Sequence, residues 1–462
     1  MSNPRLALTA LFVDGAPSRA SVRHPGRLGV LLAILVSAAN ASGTEATAGD
    51  TVSDYALHGQ MTYTEQESSD FSAPYRGPNS LSPHQGRQTF DATLFLGRRL
   101  GAGGEIWINP EVDQGFGLDN TLGAAGFPSG EAYKVGRNRP YFRLQRLFVR
   151  ETVGLGGDTE DVESTINQFA RRRSTDRLVI TVGKMSVGDV FDVNQYAHDP
   201  RNDFLNWSVI DAGPFDYAAD AWGYTVGGAV EWYRREWTLR GGLYDLSTVP
   251  NSEHLQPGFH QFQWIAELER RYVLQDLAGK LAATVYQSHG DMALLKDAVA
   301  AGAASGGPVD PALVRHYRTR TGGSLNLEQG LTPNLALFAR LGAGSGNVEA
   351  YEFTDIDRSA LFGLAVKGAA WRRAPDGAGI AYAHNRLSAD RERYLAAGGL
   401  GILVGDGRLP HAGPEQILET YYNWGPVSGV NLTFDYQRIA HPAYNRDRGP
   451  ASVFAIRAHY QF

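Results

Sequence analysis

The sequence contains no cysteine, which removes disulfide staples, thiolate nucleophiles and cysteine-held metals together. Long apolar runs are also lacking. Past residue 41 nothing approaches the ~18 apolar residues of a membrane-spanning helix. No G-x-S-x-G elbow and no G-x-x-x-x-G-K-[ST] loop occurs, so neither a hydrolase nucleophile nor a phosphate cradle is marked. The glycines of 342–346 close a strand pattern that no helix pattern follows. A basic face is missing too. The formal net charge is -6, and residues 1–41 hold Arg5, Arg19, Arg23 and Arg27 against Asp14 alone, so the remainder is more acidic still. That balance excludes a nucleic-acid partner. Strand–helix alternation, which a periplasmic binding protein needs, is absent.

What is present suits many short strands: 54 Gly, 21 Tyr and 8 Trp. Near the start, Arg23 and Arg27 precede an apolar run at 28–36, and Ala39-Asn40-Ala41 has the small-x-small form of a cleavage site. The expected organisation is a signal peptide over 1–41, a linker over 42–55 and one barrel over 56–462. Beyond the linker, apolar and polar residues alternate in segments of about ten residues, about sixteen in all, from 56–63 to 452–462. Short turns such as 234–236, 330–334 and 425–429 alternate with long loops at 64–88, 109–140, 184–222, 289–316, 344–359 and 388–414. That pattern fits antiparallel strands crossing a membrane. One connection departs from it. Residues 154–176 stand where a short turn is due, and 161–173 run from acidic residues to Arg171-Arg172-Arg173. Charge ordered in this way predicts a short periplasmic helix.

The two faces of each segment differ. Phe454, Ile456, Ala458, Tyr460 and Phe462 share one face of the last segment, and Arg457, His459 and Gln461 share the other. Leu432, Phe434 and Tyr436 oppose Thr433, Asp435 and Gln437; Trp264 and Leu268 oppose Gln263, Glu267 and Glu269. So many polar faces cannot be packed inside a solid barrel, so the apolar faces point to lipid and the polar ones line a lumen. The fold class is therefore all-β, a transmembrane antiparallel barrel of the outer membrane of a Gram-negative bacterium. Outer-membrane lipid and lipopolysaccharide are its surroundings. Trimer and monomer both remain open.

The stretch 184–222 interrupts this regularity with Asp, Asn and aromatic residues, and a loop so long inside a compact protein is functional. It is expected to fold inward as the third loop and narrow the pore. His198 and Asp199 with Asp189, Asp192, Asn194 and Asp203 lack the spacing of a Ca²⁺ loop, so no metal is assigned. No cofactor and no enzymatic site is assigned either. Sugars are polyols whose hydroxyls pair with carboxylates, amides and guanidinium groups while their C–H faces lie on aromatic rings. Asp192, Asn194, Tyr196, Asp199, Arg201, Asn206, Trp207, Asp216 and Trp222 supply that mixture from the loop. Glu105, Trp107, Asn109, Glu111 and Arg143 face the same lumen from neighbouring strands. Asp211, Asp220 and Phe191 are read as packing the loop against the wall.

Four blocks carry a family resemblance. GKMSVGDVFDVNQYAHDPRNDFLNWSVIDAGPFDYAADAWGYTVG, INPEVDQGFGLDNTLGAAGFPSGEAYKVG, LFVRETVGLGG and LTFDYQRIAHPAYNRDRGPASVFAIRAHYQF occur along the chain. Together they resemble the carbohydrate-selective porins, the OprB-like family, from about residue 58 to 462. The resemblance implies passive diffusion of glucose and related mono- or oligosaccharides, with no cofactor and no energy coupling. Val209-Ile210 and the Ala/Gly-rich 289–316 depart from the family pattern and bear on which sugar is preferred. A less selective porin or a channel for acidic oligosaccharides is the alternative, favoured if lumenal Arg and Lys outnumber Asp and Glu. An outer-membrane barrel enzyme stands behind both.

Overall fold

A computed structural model describes residues 53–132, 134–256 and 258–462. The signal expected over 1–41, and most of the linker expected over 42–55, lie outside the described residues. Sixteen strands close into one antiparallel barrel. They are β1 (Tyr55–Ser68), β2 (Gln85–Arg99), β3 (Gly104–Gly115), β4 (Arg137–Val162), β5 (Arg171–Met185), β6 (Thr225–Arg234), β7 (Trp237–Asp245) and β8 (Phe262–Leu274). After them come β9 (Leu277–Met292), β10 (His316–Thr332), β11 (Leu335–Gly344), β12 (Arg358–Lys367), β13 (Gly377–Arg386), β14 (Glu415–Val427), β15 (Val430–Ala440) and β16 (Ala451–Gln461). β1 pairs with β16 from Gln60↔Gln461 to Ser68↔Val453, so no edge strand is left with unpaired backbone groups in the bilayer.

The period-two pattern sets which face meets lipid. Phe454 is 54% exposed, while its neighbours Val453 and Ala455 are buried, as is Arg457. Phe434 and Leu268 are likewise exposed, and Thr433, Gln437, Glu267 and Glu269 are buried. Each strand therefore stabilises the barrel by giving one row to the hydrocarbon and the other to the lumen. Tyr233 follows the inward row with Ala229 and Glu231, the Arg177 guanidinium 3.9 Å from its ring centre. Trp232 and Trp237 beside it stay on the outer surface at the short-turn rim, where a headgroup girdle belongs.

The helix expected over 161–173 is not formed. β4 and β5 instead continue as a two-stranded hairpin beyond the wall, pairing Glu160↔Arg173, Asp161↔Arg172 and Val162↔Arg171. The acid-then-base order that suggested a helix dipole is satisfied across the ladder. Arg173 Nε lies 2.8 Å and Arg177 Nη1 3.2 Å from Glu160 Oε1. Gly156 and Gly157 take positive φ values of 101° and 79°, absorbing the register shift where the hairpin leaves the barrel.

The long-loop rim carries L1 (69–84), L2 (116–136), L3 (186–224), L4 (246–261), L5 (293–315), L6 (345–357), L7 (387–414) and L8 (441–450). L3 contains one helical turn, α1 (Trp207–Ile210), L5 carries α2 (Leu295–Ser305) and L7 carries α3 (Ala389–Ala396). The main hydrophobic cluster lies inside the barrel, where Phe191, Phe204, Trp207, Phe215 and Tyr217 of L3 meet Phe127 of L2 and Phe353 of L6.

Candidate functional site

A loop inside a barrel needs a partner for each backbone polar group, because the surrounding wall has already used its own. The inward rows supply those partners from nearly every side. Glu419 of β14 accepts the Leu205 N–H at 2.5 Å and the Asn206 N–H at 3.2 Å. Glu267 of β8 accepts from Asp192 N at 2.9 Å, and Gln263 accepts from Ala218 N at 2.8 Å. Arg457 of β16 donates to the carbonyls of Pro200 and Asp203. Two fully buried ion pairs complete the attachment. Arg340 Nε of β11 lies 3.2 Å from Asp192 Oδ2, and Arg320 Nε of β10 lies 2.9 Å from Asp216 Oδ2. Asp216 also accepts the N–H groups of Tyr351 and Glu352, which ties L6 to L3. At α1, the Asn206 side chain accepts from Ser208 N as N-cap and donates to Gln437 Oε1 at 2.9 Å.

Beneath L3 lies a chamber of about 780 Å³. Its upper part is lined by Glu131, Asp199, Pro200, Arg201, Trp207, Trp222 and Tyr224, and its floor by Val162, Thr165, Ile166, Asn167 and Gln168 of the β4–β5 hairpin. The hairpin tip curls back into the barrel mouth. Phe169 packs 5.1 Å from Trp107, Asn167 accepts from Asn109 Nδ2 at 2.9 Å, and Arg150 donates to the Asn167 carbonyl at 2.8 Å. Glu105 holds Arg150 at 2.9 Å and also binds Arg171. A Glu105→Gln exchange removes the charge shared by both arginines. It is expected to speed amide exchange at Thr165 and Gln168, whose N–H groups close the turn, by about tenfold in deuterium-uptake mass spectrometry.

Charged groups line the walls in pairs. Arg201 sits 3.4 Å from Asp91, 3.3 Å from Glu131 and 4.0 Å from Glu111. Arg146 grips Asp189 through two bonds of 2.6 and 2.8 Å, and Arg240 meets Glu231, Glu267 and Glu269 within 3.1 Å. Trp222 presents its ring beneath the Arg143 guanidinium at 3.3 Å, and Asp220 accepts from Arg143 at 2.9 Å. Within L3, burial opposes ionisation of Asp199, but the nearby Arg201 outweighs it and holds that carboxyl below its ordinary range. Asp211 goes the other way: burial pushes it up to about 6, against the pull of His198 3.6 Å away. Its proton is taken up as pH falls through that value, which removes one negative charge from the chamber wall.

The sequence candidates separate into two groups. Glu105, Asp199, Arg201, Trp207 and Trp222 line the chamber. Asp192, Asn194, Asn206 and Asp216 are fully buried anchors of L3, and Tyr196 borders a smaller space near Asp203 and Tyr421. Trp107 and Asn109 hold the hairpin tip, Glu111 binds Thr93 and Gln145, and Arg143 covers Trp222. Asp189, Asp192 and Asp199, grouped above as metal candidates, turn to Arg146, Arg340 and Arg201. Arg146 was not among the candidates because the ladder shifts between Asn109↔Arg146 and Pro110↔Leu144. That bulge turns both Arg143 and Arg146 inward, which strict alternation forbids. Arg150, Arg240, Glu231 and Glu269 lie on ordinary inward rows and were legible by parity.

A family model described as carbohydrate-selective porin, OprB family, matches residues 79–462. The high-pH structure of Pseudomonas putida OprB superposes with a TM-score of 0.67 at 14% identity, covering 88% of this chain and 94% of that one, a likeness of fold. Porin AaxA of Chlamydia pneumoniae is 28% identical over 138 residues, 30% of this chain and 27% of that protein. Porin AaxA of Chlamydia abortus is 20% identical over 332 residues, 69% of this chain. The chain thus spans 63% of the length of the latter relative.

Proposed function

The chain belongs to the carbohydrate-selective porin family, OprB, and from that membership we propose that it passes neutral saccharides across the outer membrane by diffusion through the chamber beneath L3. The observation that carries this reading is the upper end of the chamber. There Trp222, with one ring face under Arg143, lines the same space as Arg201 and Asp199, so apolar surface stands among hydrogen-bonding groups. Trp207 is on the same wall, its indole N–H buried and without an acceptor among the described residues. A volume near 780 Å³ falls inside the ~300–1,000 Å³ of small-molecule sites, so one or more sugar rings fit. Passage requires no bond to break, so the reading includes no enzymatic step.

The alternative, a channel for acidic oligosaccharides, calls for a basic excess. Eight basic side chains line the chamber against seven acidic ones, an excess of one that leans only slightly toward that alternative, and most are paired with one another or with neighbours on the wall. A wall so near balance gives an anionic chain little net pull and supports neutral polyols.

Planar-bilayer recordings test the proposal. Glucose or a short oligosaccharide is expected to reduce the ion current in a saturable way, and Trp222→Ala to raise the half-blocking concentration about tenfold, the loss of ~1.4 kcal/mol. Current indifferent to every sugar tested would leave a general pore.

A further inference from the structure

On β12 and β13, Arg358 and Arg386 are direct cross-strand partners. Both are exposed on the lipid-facing row at the long-loop end of their strands. Two like charges at this spacing repel one another. No ion pair or hydrogen bond from either guanidinium to any described residue occurs, whereas buried arginines such as Arg320, Arg340 and Arg391 each hold a carboxylate. On β15, Arg438 is likewise exposed and has no carboxylate partner among the described residues. The carboxylates of these strands cannot help, since Glu415, Glu419 and Asp435 are buried on the lumenal row.

Below each arginine the same row turns aromatic at a constant step. Phe362 lies four residues from Arg358 on β12, Tyr382 four from Arg386 on β13, and Phe434 four from Arg438 on β15. Phe362 and Tyr382 face each other across the ladder with ring centres 5.6 Å apart. At ~3.3 Å per residue, each ring sits roughly 13 Å along the strand from its arginine, within the hydrocarbon layer when the arginine is at the headgroups.

We propose that this sector, centred on Arg358 and Arg386, is a docking site for a phosphorylated acyl lipid of the outer leaflet. The two guanidinium groups grip a headgroup phosphate while the acyl chains lie on Phe362, Tyr382 and Phe434. Arginine's planar fork suits phosphate, and a bound dianion converts the repulsion between the pair into shared attraction. A second copy of this chain is a poorer occupant, because a symmetric contact here would bring like charges together.

The test uses the full-length barrel, purified in detergent free of lipopolysaccharide, with Arg358→Gln/Arg386→Gln as variant and Arg270→Gln, a lipid-facing change at the opposite rim, as control. Three probes are titrated: purified lipopolysaccharide, the same glycolipid after phosphatase treatment, and inorganic phosphate. The wild type and the control are expected to bind intact lipopolysaccharide at least about tenfold more tightly than the double variant, with the phosphatase-treated lipid losing the same factor. Thermal stability should cross over: without lipid the double variant melts higher than wild type, and with lipopolysaccharide it melts lower. Equal affinity of wild type and double variant, or binding unaffected by phosphatase, overturns the proposal. Tight binding of inorganic phosphate alone, with no added affinity from the acyl lipid, overturns it as well. If the double variant does not assemble, Arg386→Gln against Arg386→Lys is read by the same two measurements, and identical behaviour of the two counts against the site.

Discussion

Replacing Arg340 by methionine is expected to raise single-channel conductance severalfold while the barrel stays folded. Arg340 holds L3 at three points: the Asp192 carboxylate at 3.2 Å, the Asp192 carbonyl at 3.0 Å and the Val209 carbonyl at 2.8 Å. Both members of the ion pair are fully buried. Removing one partner of such a pair costs about 3–5 kcal/mol, because the abandoned charge stays desolvated. Methionine fills most of the volume, so the penalty falls on Asp192 and not on a cavity. The wall itself loses nothing, since Arg340 remains in the ladder between β10 and β12 through its backbone. The cost is therefore paid by the loop, whose easiest response is to leave the lumen. A protease cut appearing between residues 192 and 212 would accompany the rise in conductance. Adding Asp192→Asn to Arg340→Met should recover part of the closure, as a coupled pair requires. Unchanged conductance in Arg340→Met would mean that L3 does not limit the current.

Arg340 also shows why the site was only partly legible in the sequence. Strand count, strand faces and the position of the inward loop follow from local alternation, a signal each segment carries on its own. The partner of Asp192 lies 148 residues away, and nothing near Asp192 in the chain distinguishes an anchor from a sugar ligand. Polar residues in an inward loop have two employments, to satisfy the loop's own backbone or to meet a solute, and composition is the same for both. Asp192, Asn206 and Asp216 took the first; Asp199 and Arg201 line the chamber, although Asp199 also accepts the Arg201 N–H. The hairpin at β4–β5 failed for a related reason. Acidic residues at 158–163 and arginines at 171–173 satisfy a helix dipole and a strand ladder equally well, and two glycines at positive φ favoured the ladder.

The second large effect is predicted at Arg201. Asp91 and Glu131 converge on its guanidinium, and Glu111 stands 4.0 Å away. At an effective dielectric near 20, a unit pair about 4 Å apart is worth about 4 kcal/mol, so one cation offsets much of the repulsion among three carboxylates. Arg201→Met takes that cation away at the narrow upper end of the chamber. The carboxylates then bind protons or draw mobile cations from solution. The reversal potential in a salt gradient should shift strongly toward cation selectivity, and the shift should grow with rising pH as those protons are lost. On the proposed saccharide route, sugar block should weaken by at least about tenfold, since the guanidinium that would donate to ring hydroxyls has gone and the site now favours hydrated cations. Arg201→Lys separates the two roles. A point charge preserves the ion selectivity, whereas the forked donor geometry is lost, so sugar affinity falls while the reversal potential stays near wild type. A reversal potential unmoved by Arg201→Met would place the permeation path away from Arg201, and with it the saccharide route drawn along Trp222 and Asp199.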